Sequence, residues 1–206
     1  GIYDQVKALL DLATDYGFDE NLWQNYLTFL LMTNENSFSL ITERVGELDG
    51  SVNHFAKNDF KVFRALFHYD FGPIERDLGI DCFTTICHYH AIPKRERTYN
   101  HDISRQVRTL CQALEGATDE EEMFRLITDY YRQYGFGVFA MNRAFRIRRS
   151  GESVEFLPIS NIDGVMLEDL LGYEQQKREL RQNTEAFLAG KHANNVLLYG
   201  DAGTGK

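Results

Sequence analysis

Between Val6 and Tyr131 apolar side chains recur three and four residues apart. That period commits the first two thirds of the chain to helices before any other property is weighed. Val6, Leu9, Leu10, Leu12 and Ala13 make the first stripe, and Gly17 suits a left-handed helix end after Tyr16. Asp19 is placed to cap a second helix carrying Leu22, Trp23, Tyr26, Leu27, Leu30 and Leu31. A third starts near Ser37 with Leu40, Ile41 and Val45. Ser51 is placed to cap a fourth with Phe55, Phe60, Val62, Phe63, Leu66 and Phe67. Asp70-Phe71-Gly72-Pro73 breaks the pattern, because proline lacks a donor and restricts its predecessor. Residues 80–100 are β-branched and aromatic, then basic, and assign no element. Helical spacing returns from Asp102 with Ile103, Val107, Leu110 and Leu114. Thr118-Asp119-Glu120-Glu121 then spells a capping box that opens a helix bearing Phe124, Leu126, Ile127, Tyr130 and Tyr131. The acidic run Asp119 to Glu122 reads as its first turn, where carboxylates favour the helix dipole.

Near Gly135 the period shortens to two. Val138 to Met141, Ala144 to Arg149 and Val154 to Pro158 read as strands, with a turn at Ser150-Gly151-Glu152. Apolar and basic residues alternate in Phe145-Arg146-Ile147-Arg148, which predicts a hairpin with one buried and one wet face. Pro158 to Gly164 is rich in turn formers and is the expected domain boundary. The expected organisation is a mainly helical domain over 1–160, with the hairpin at about 138–158, and a second segment over 161–206. In that segment Val165 to Gly172 is apolar and acidic, Tyr173 to Leu188 is a helix, and Gly190 is placed to end it. Val196 to Tyr199 reads as a strand buried on both faces of a parallel sheet.

With 206 residues, 43% of them hydrophobic and including 15 Phe and 11 Tyr, the chain has enough apolar mass to close a core. A net charge of −9 excludes a protein whose main task is to coat nucleic acid or an anionic membrane. No apolar run reaches the ~20 residues of a membrane span. Three cysteines, an odd number, predict reduced thiols and a cytoplasmic setting. Cys82, Cys87, His88, His90 and His101 cluster in sequence, but the spacing departs from zinc-site patterns and reads as packing, so no metal site is expected. Basic residues gather at Pro93-Lys94-Arg95-Glu96-Arg97 with Tyr99, and at Arg143, Arg146, Arg148 and Arg149. Arginine interleaved with aromatic side chains leaves single-stranded nucleic acid open as an alternative ligand. The Phe and Leu stripes between residues 22 and 67 read as core, with a groove for a partner helix as the alternative.

The sharpest chemical signal is Gly200-Asp201-Ala202-Gly203-Thr204-Gly205-Lys206, which spells G-x-x-x-x-G-K directly after the apolar run. Glycines let the backbone approach a ligand closely, its N–H groups converge on phosphate oxygens, and the lysine ammonium balances the β- and γ-phosphates. A serine or threonine, the usual next residue, ligates Mg²⁺.

Together, "VMLEDLLGYEQQKRELRQNTEAFLAG" and "NNVLLYGDAGTGK" resemble the opening of an AAA+ ATPase domain, with Asp169-Leu170-Leu171-Gly172-Tyr173-Glu174 as its acidic-apolar lead-in. More narrowly they are similar to a bacterial family of predicted AAA+ ATPases catalogued as a domain of unknown function (number 815). The similarity is strong over Val165 to Lys206 and faint before it. It implies a mostly α N-terminal domain with a small β-hairpin module, followed by the truncated start of an α/β P-loop nucleotide-binding domain. It also implies ATP and Mg²⁺ as ligands of the full-length protein, held by Gly200 to Lys206, with the backbone at Leu171 and Gly172 lining the adenine pocket. ATP hydrolysis is expected of the full-length protein and not of this segment, since no catalytic residue falls within it. A protein partner or substrate is expected on the helical domain, and homo-oligomerisation through the complete AAA+ domain. The alternatives are an interaction module without ATPase activity, or a nucleic-acid-binding ATPase.

Overall fold

Amphipathic stripes of the kind read above become helices when their apolar faces meet, because most helical stability comes from that burial and little from intrinsic propensity. The computed structural model describes residues 1–45, 50–91, 99, 101–142, 144–151, 153–159 and 166–201. The chain divides into two compact units, Gly1–Ile162 and Asp163–Lys206. The described helices of the first are α1 (Ile2–Tyr16), α2 (Leu22–Thr33), α3 (Ser37–Val45), α4 (Ser51–Phe67), α5 (Gly72–Leu78), α6 (Cys82–Cys87), α7 (His101–Glu115), α8 (Glu120–Tyr134) and α9 (Gly137–Met141). An antiparallel hairpin follows, β1 (Phe145–Ser150) with β2 (Ser153–Pro158). The second unit holds a 3₁₀ turn, Leu167–Asp169, and α10 (Glu174–Leu188). The fold is mostly helical with one small hairpin.

α8 is the hub of the first unit: its Met123, Phe124 and Ile127 are fully buried, and α3 and α4 pack on it. Phe124 lies between Phe38 of α3 and Phe60 of α4, with ring centroids 5.4 and 5.7 Å away, and Phe38 also meets Tyr131 at 5.8 Å. The tilted and edge-on arrangements add about 0.5–1.5 kcal/mol per pair beyond area burial. Tyr131 is buried yet satisfied, since its hydroxyl donates to Leu31 O at 2.6 Å and so joins α8 to α2. Burial pushes its phenol well above the ordinary tyrosine range, which keeps it a donor. The end of α4 is tied in the same way. Trp23 Nε1 donates to Leu66 O at 2.7 Å, which also accepts from Tyr69 N at 3.2 Å, and Gln24 Nε2 donates to Phe67 O at 3.2 Å, so side chains of α2 satisfy the last carbonyls of α4.

The expected end of α1 is as read. Gly17 closes α1 at φ 66°, and a Cβ there would lie 2.3 Å from the Tyr99 ring, so both backbone and space require glycine. At α8 the cap sits one residue later than the Thr118–Glu121 spelling: Asp119 is the cap and accepts from Glu122 N at 2.8 Å, while Glu122 Oε2 takes Thr118 N and Oγ1 at 2.7 and 2.8 Å. Others differ. Asn21 caps α2, because the Asp19 carboxylate is engaged by Ala91 N at 2.9 Å across the fold. Gly50 holds the cap position of α4, and Ser51 is the first helical residue.

α6, within the stretch that assigned no element, takes its cap from another helix. Glu75 of α5 accepts from both Thr84 N at 2.7 Å and Thr84 Oγ1 at 2.5 Å. These bonds to Thr84 hold the buried Glu75 carboxyl below its ordinary value. A depressed folded-state pKa means a contribution that is full above the unfolded value (~4.3) and is lost as pH falls through the folded one. Acid titration of unfolding free energy is therefore expected to be shallower below pH ~4 in Glu75→Gln than in the parent. Equal pH slopes would remove this role.

Val138 to Met141, expected as a strand, is the short helix α9. Met141 is buried against the core, and Asn142 Nδ2 donates back to Val138 O at 2.9 Å, closing a turn that an extended segment could not make. In the hairpin, Phe145, Ile147, Val154 and Phe156 share one face. That face is only partly covered. Phe145 and Phe156 meet Phe139 of α9 at 5.0 and 5.3 Å, whereas Ile147 is 65% exposed. A two-stranded sheet resting on a five-residue helix has too little partner surface for the buried face that alternation predicted.

Candidate functional site

The chemistry read from the sequence concentrates in the second unit, where the described residues show how the glycine-rich stretch is approached. Ala202 to Lys206 lie outside the described residues; Gly200 and Asp201 are described and exposed. Leu171 is 92% exposed, and Gly172 (φ 82°) is followed by Tyr173 (φ 60°). Two successive left-handed residues turn the chain sharply into α10. The second, a tyrosine, costs about 1–2 kcal/mol against an extended or right-handed backbone.

That turn is anchored from α10. Lys177 Nζ donates to Leu170 O and pairs with Glu174 Oε1 at 3.1 Å. Arg181 pairs with Glu168. The Glu168 carboxyl is held below its ordinary value, first by its own backbone N–H and then by the Arg181 guanidinium. Asp169 Oδ2 accepts from Met166 N at 2.7 Å and closes the 3₁₀ turn. The segment bearing Leu171 and Gly172 is thereby fixed to one helix by two cations.

The other end is fixed by one side chain. Asn183 Oδ1 accepts from Asn194 N and Asn183 Nδ2 donates to Asn194 O, both at 2.8 Å. Its amide satisfies both backbone groups of Asn194, as a neighbouring strand would. Sequence reasoning missed this clamp. Its one signal is an asparagine inside a helix otherwise rich in good formers, where it is intrinsically unfavourable. Asn183→Ala is expected to raise amide hydrogen exchange at Asn194 about fivefold, the equivalent of one lost hydrogen bond. Unchanged exchange would dismiss the clamp.

Val196 to Tyr199, expected as a doubly buried strand, has no regular structure here and Leu197 is 83% exposed. The run is apolar enough for a sheet interior, but a strand exists only by pairing, and no described segment of this unit lies alongside it.

The other candidates are placed as follows. Pro93 to Arg97 and Arg143 lie outside the described residues. Arg148 faces Glu155 across the hairpin, with Nη2 and Nε at 2.7 and 3.0 Å from Oε2, so its charge is matched within the protein. Cys82, Cys87 and Cys111 are free thiols; burial pushes Cys111 up to about 11. His88 Nδ1 contacts Thr84 O at 3.0 Å. Among the described residues no group of three or more His, Cys, Asp or Glu is placed to hold a metal ion, and no helix is long and apolar enough to cross a membrane.

Residues 140–206 match the family described as protein of unknown function DUF815. The match spans the end of α9, the hairpin and the whole second unit, and it supports the family resemblance drawn from the lead-in and the glycine-rich stretch. The family's description names no activity. Comparisons with curated proteins and with solved structures gave no match.

Proposed function

We propose that the DUF815 segment contributes to the nucleotide site of an AAA+ P-loop ATPase, and that the helical unit recruits a protein partner or substrate to it. One observation carries the reading. The G-x-x-x-x-G-K spelling, Gly200 to Lys206, directly follows an apolar run that α10 clamps at Asn194, inside the span that matches the family. The donor set suits a triphosphate, since a glycine-rich run offers N–H groups without side-chain obstruction and Lys206 adds a compact cation. In this reading the amides of Gly203 and Gly205 and the ammonium of Lys206 bind the β- and γ-phosphates, while the backbone at Leu171 and Gly172 borders the adenine. Mg²⁺, when bound with ATP, offsets phosphate charge.

The test is titration of the full protein with a fluorescent ATP analogue in Mg²⁺, for the parent and for Lys206→Ala. Weaker binding by the variant supports the assignment, and equal affinity removes it.

A further inference from the structure

The helix α4 carries two apolar seams, and only one of them is used. Asn53, Ala56, Phe60, Phe63 and Phe67 follow a 3-4-3-4 spacing and face the core. Val52, Phe55, Asp59, Val62 and Leu66 repeat the same spacing one residue earlier along the chain. This second seam is open: Phe55, Val62 and Leu66 are 69, 62 and 43% exposed. It borders a groove of about 770 Å³ whose other wall includes Leu31 and Phe38, with Ala56, Phe60 and Phe63 of the first seam at its floor. A 3-4 spacing held over about 21 Å of helix is the pattern by which one helix packs along another.

The seam also states what kind of helix fits. Asp59 is its midpoint and has no ion pair among the described residues. A second copy of this chain is a poor occupant. Two α4 helices that pair over the whole seam, parallel and in register or antiparallel with the two-fold axis at its centre, set the midpoint of one against the midpoint of the other. Two Asp59 carboxylates would then face each other at the centre of an apolar seam, where desolvation makes like charges most costly. A cation opposite Asp59 removes that penalty and fixes register, the use made of a single polar position in helix pairs.

We infer that the Val52–Leu66 face of α4 docks an amphipathic helix of a partner protein that carries a lysine or arginine at its central seam position. This specifies the partner half of the proposed function and rests on that half alone; the nucleotide half plays no part in it.

The probe is a synthetic helix with apolar residues at its a and d positions over two heptads and lysine at the central a position, compared with a glutamate twin. Fluorescence anisotropy with the full chain is expected to show the lysine peptide binding about tenfold tighter, the size of one charge-assisted contact. Asp59→Lys is expected to reverse the preference. Phe55→Ser combined with Val62→Ser, both on the exposed seam, is expected to lose both peptides while the far-ultraviolet circular dichroism is unchanged. In light scattering Asp59→Leu is expected to dimerise and the parent to remain monomeric. Failure of the parent to bind either peptide, or indifference to the sign at residue 59, overturns the inference. So does a parent dimer that the Phe55/Val62 variant dissolves, which would make a second copy the occupant. ATP binding by the parent separates the two proposals: a parent that binds ATP but neither peptide sinks this one alone.

Discussion

Phe124→Ala is expected to cost about 3–5 kcal/mol and to bring the helical unit close to unfolding at room temperature. Small domains hold only about 5–15 kcal/mol in total. The side chain is fully buried, wedged between Phe38 and Phe60, and covered at 5.0 Å by the Lys57 ammonium. Truncation leaves a void whose walls belong to three helices, so no single rotamer change can fill it. The same change at Phe55, which the helical spacing alone cannot distinguish from a core position, is expected to cost about 0.5 kcal/mol or less, because that ring is already in water. Urea denaturation of the two variants against the parent checks both. A loss below about 1 kcal/mol at Phe124 would mean that the aromatic cluster is not the centre of the core.

The second large effect is expected at Lys206. Removing a cation from charge-assisted contacts with phosphate costs about 1.5–3 kcal/mol, which corresponds to roughly 10- to 150-fold in ATP affinity. Lys206→Arg keeps the charge but replaces a compact ammonium with a planar fork, and is expected to recover only part of the loss. Thermal unfolding of the helical unit should be the same in all three proteins. A Lys206→Ala protein that binds ATP as well as the parent would leave the glycine-rich stretch as a loop without a ligand.

Much of the first unit is legible from spacing because its helices are amphipathic and local. The stripes at Leu22–Leu31 and Phe124–Tyr131, and the cap at Gly17, depend on residues within a few positions of one another. The misreadings arise where a distant partner intervenes. Asp19 spells a cap but is taken by Ala91 N, 72 residues away. Val138 to Met141 has strand composition, yet burial of Met141 curls it into α9. The candidate nucleotide stretch is legible as a spelling, while Lys177, Arg181 and Asn183, which hold Leu170, Glu168 and Asn194, look like ordinary polar residues of a surface helix.

The sequence by itself determined the helical class, the hairpin near its place and the G-x-x-x-x-G-K stretch, because helix period, turn chemistry and glycine spacing are local properties of the chain. Tertiary structure decided which of the two seams of α4 is core and which is free. Both carry the same 3-4 spacing. Only the packing of α8 against the row containing Phe60 distinguishes them, since burial depends on what else reaches a face and not on the face's own pattern.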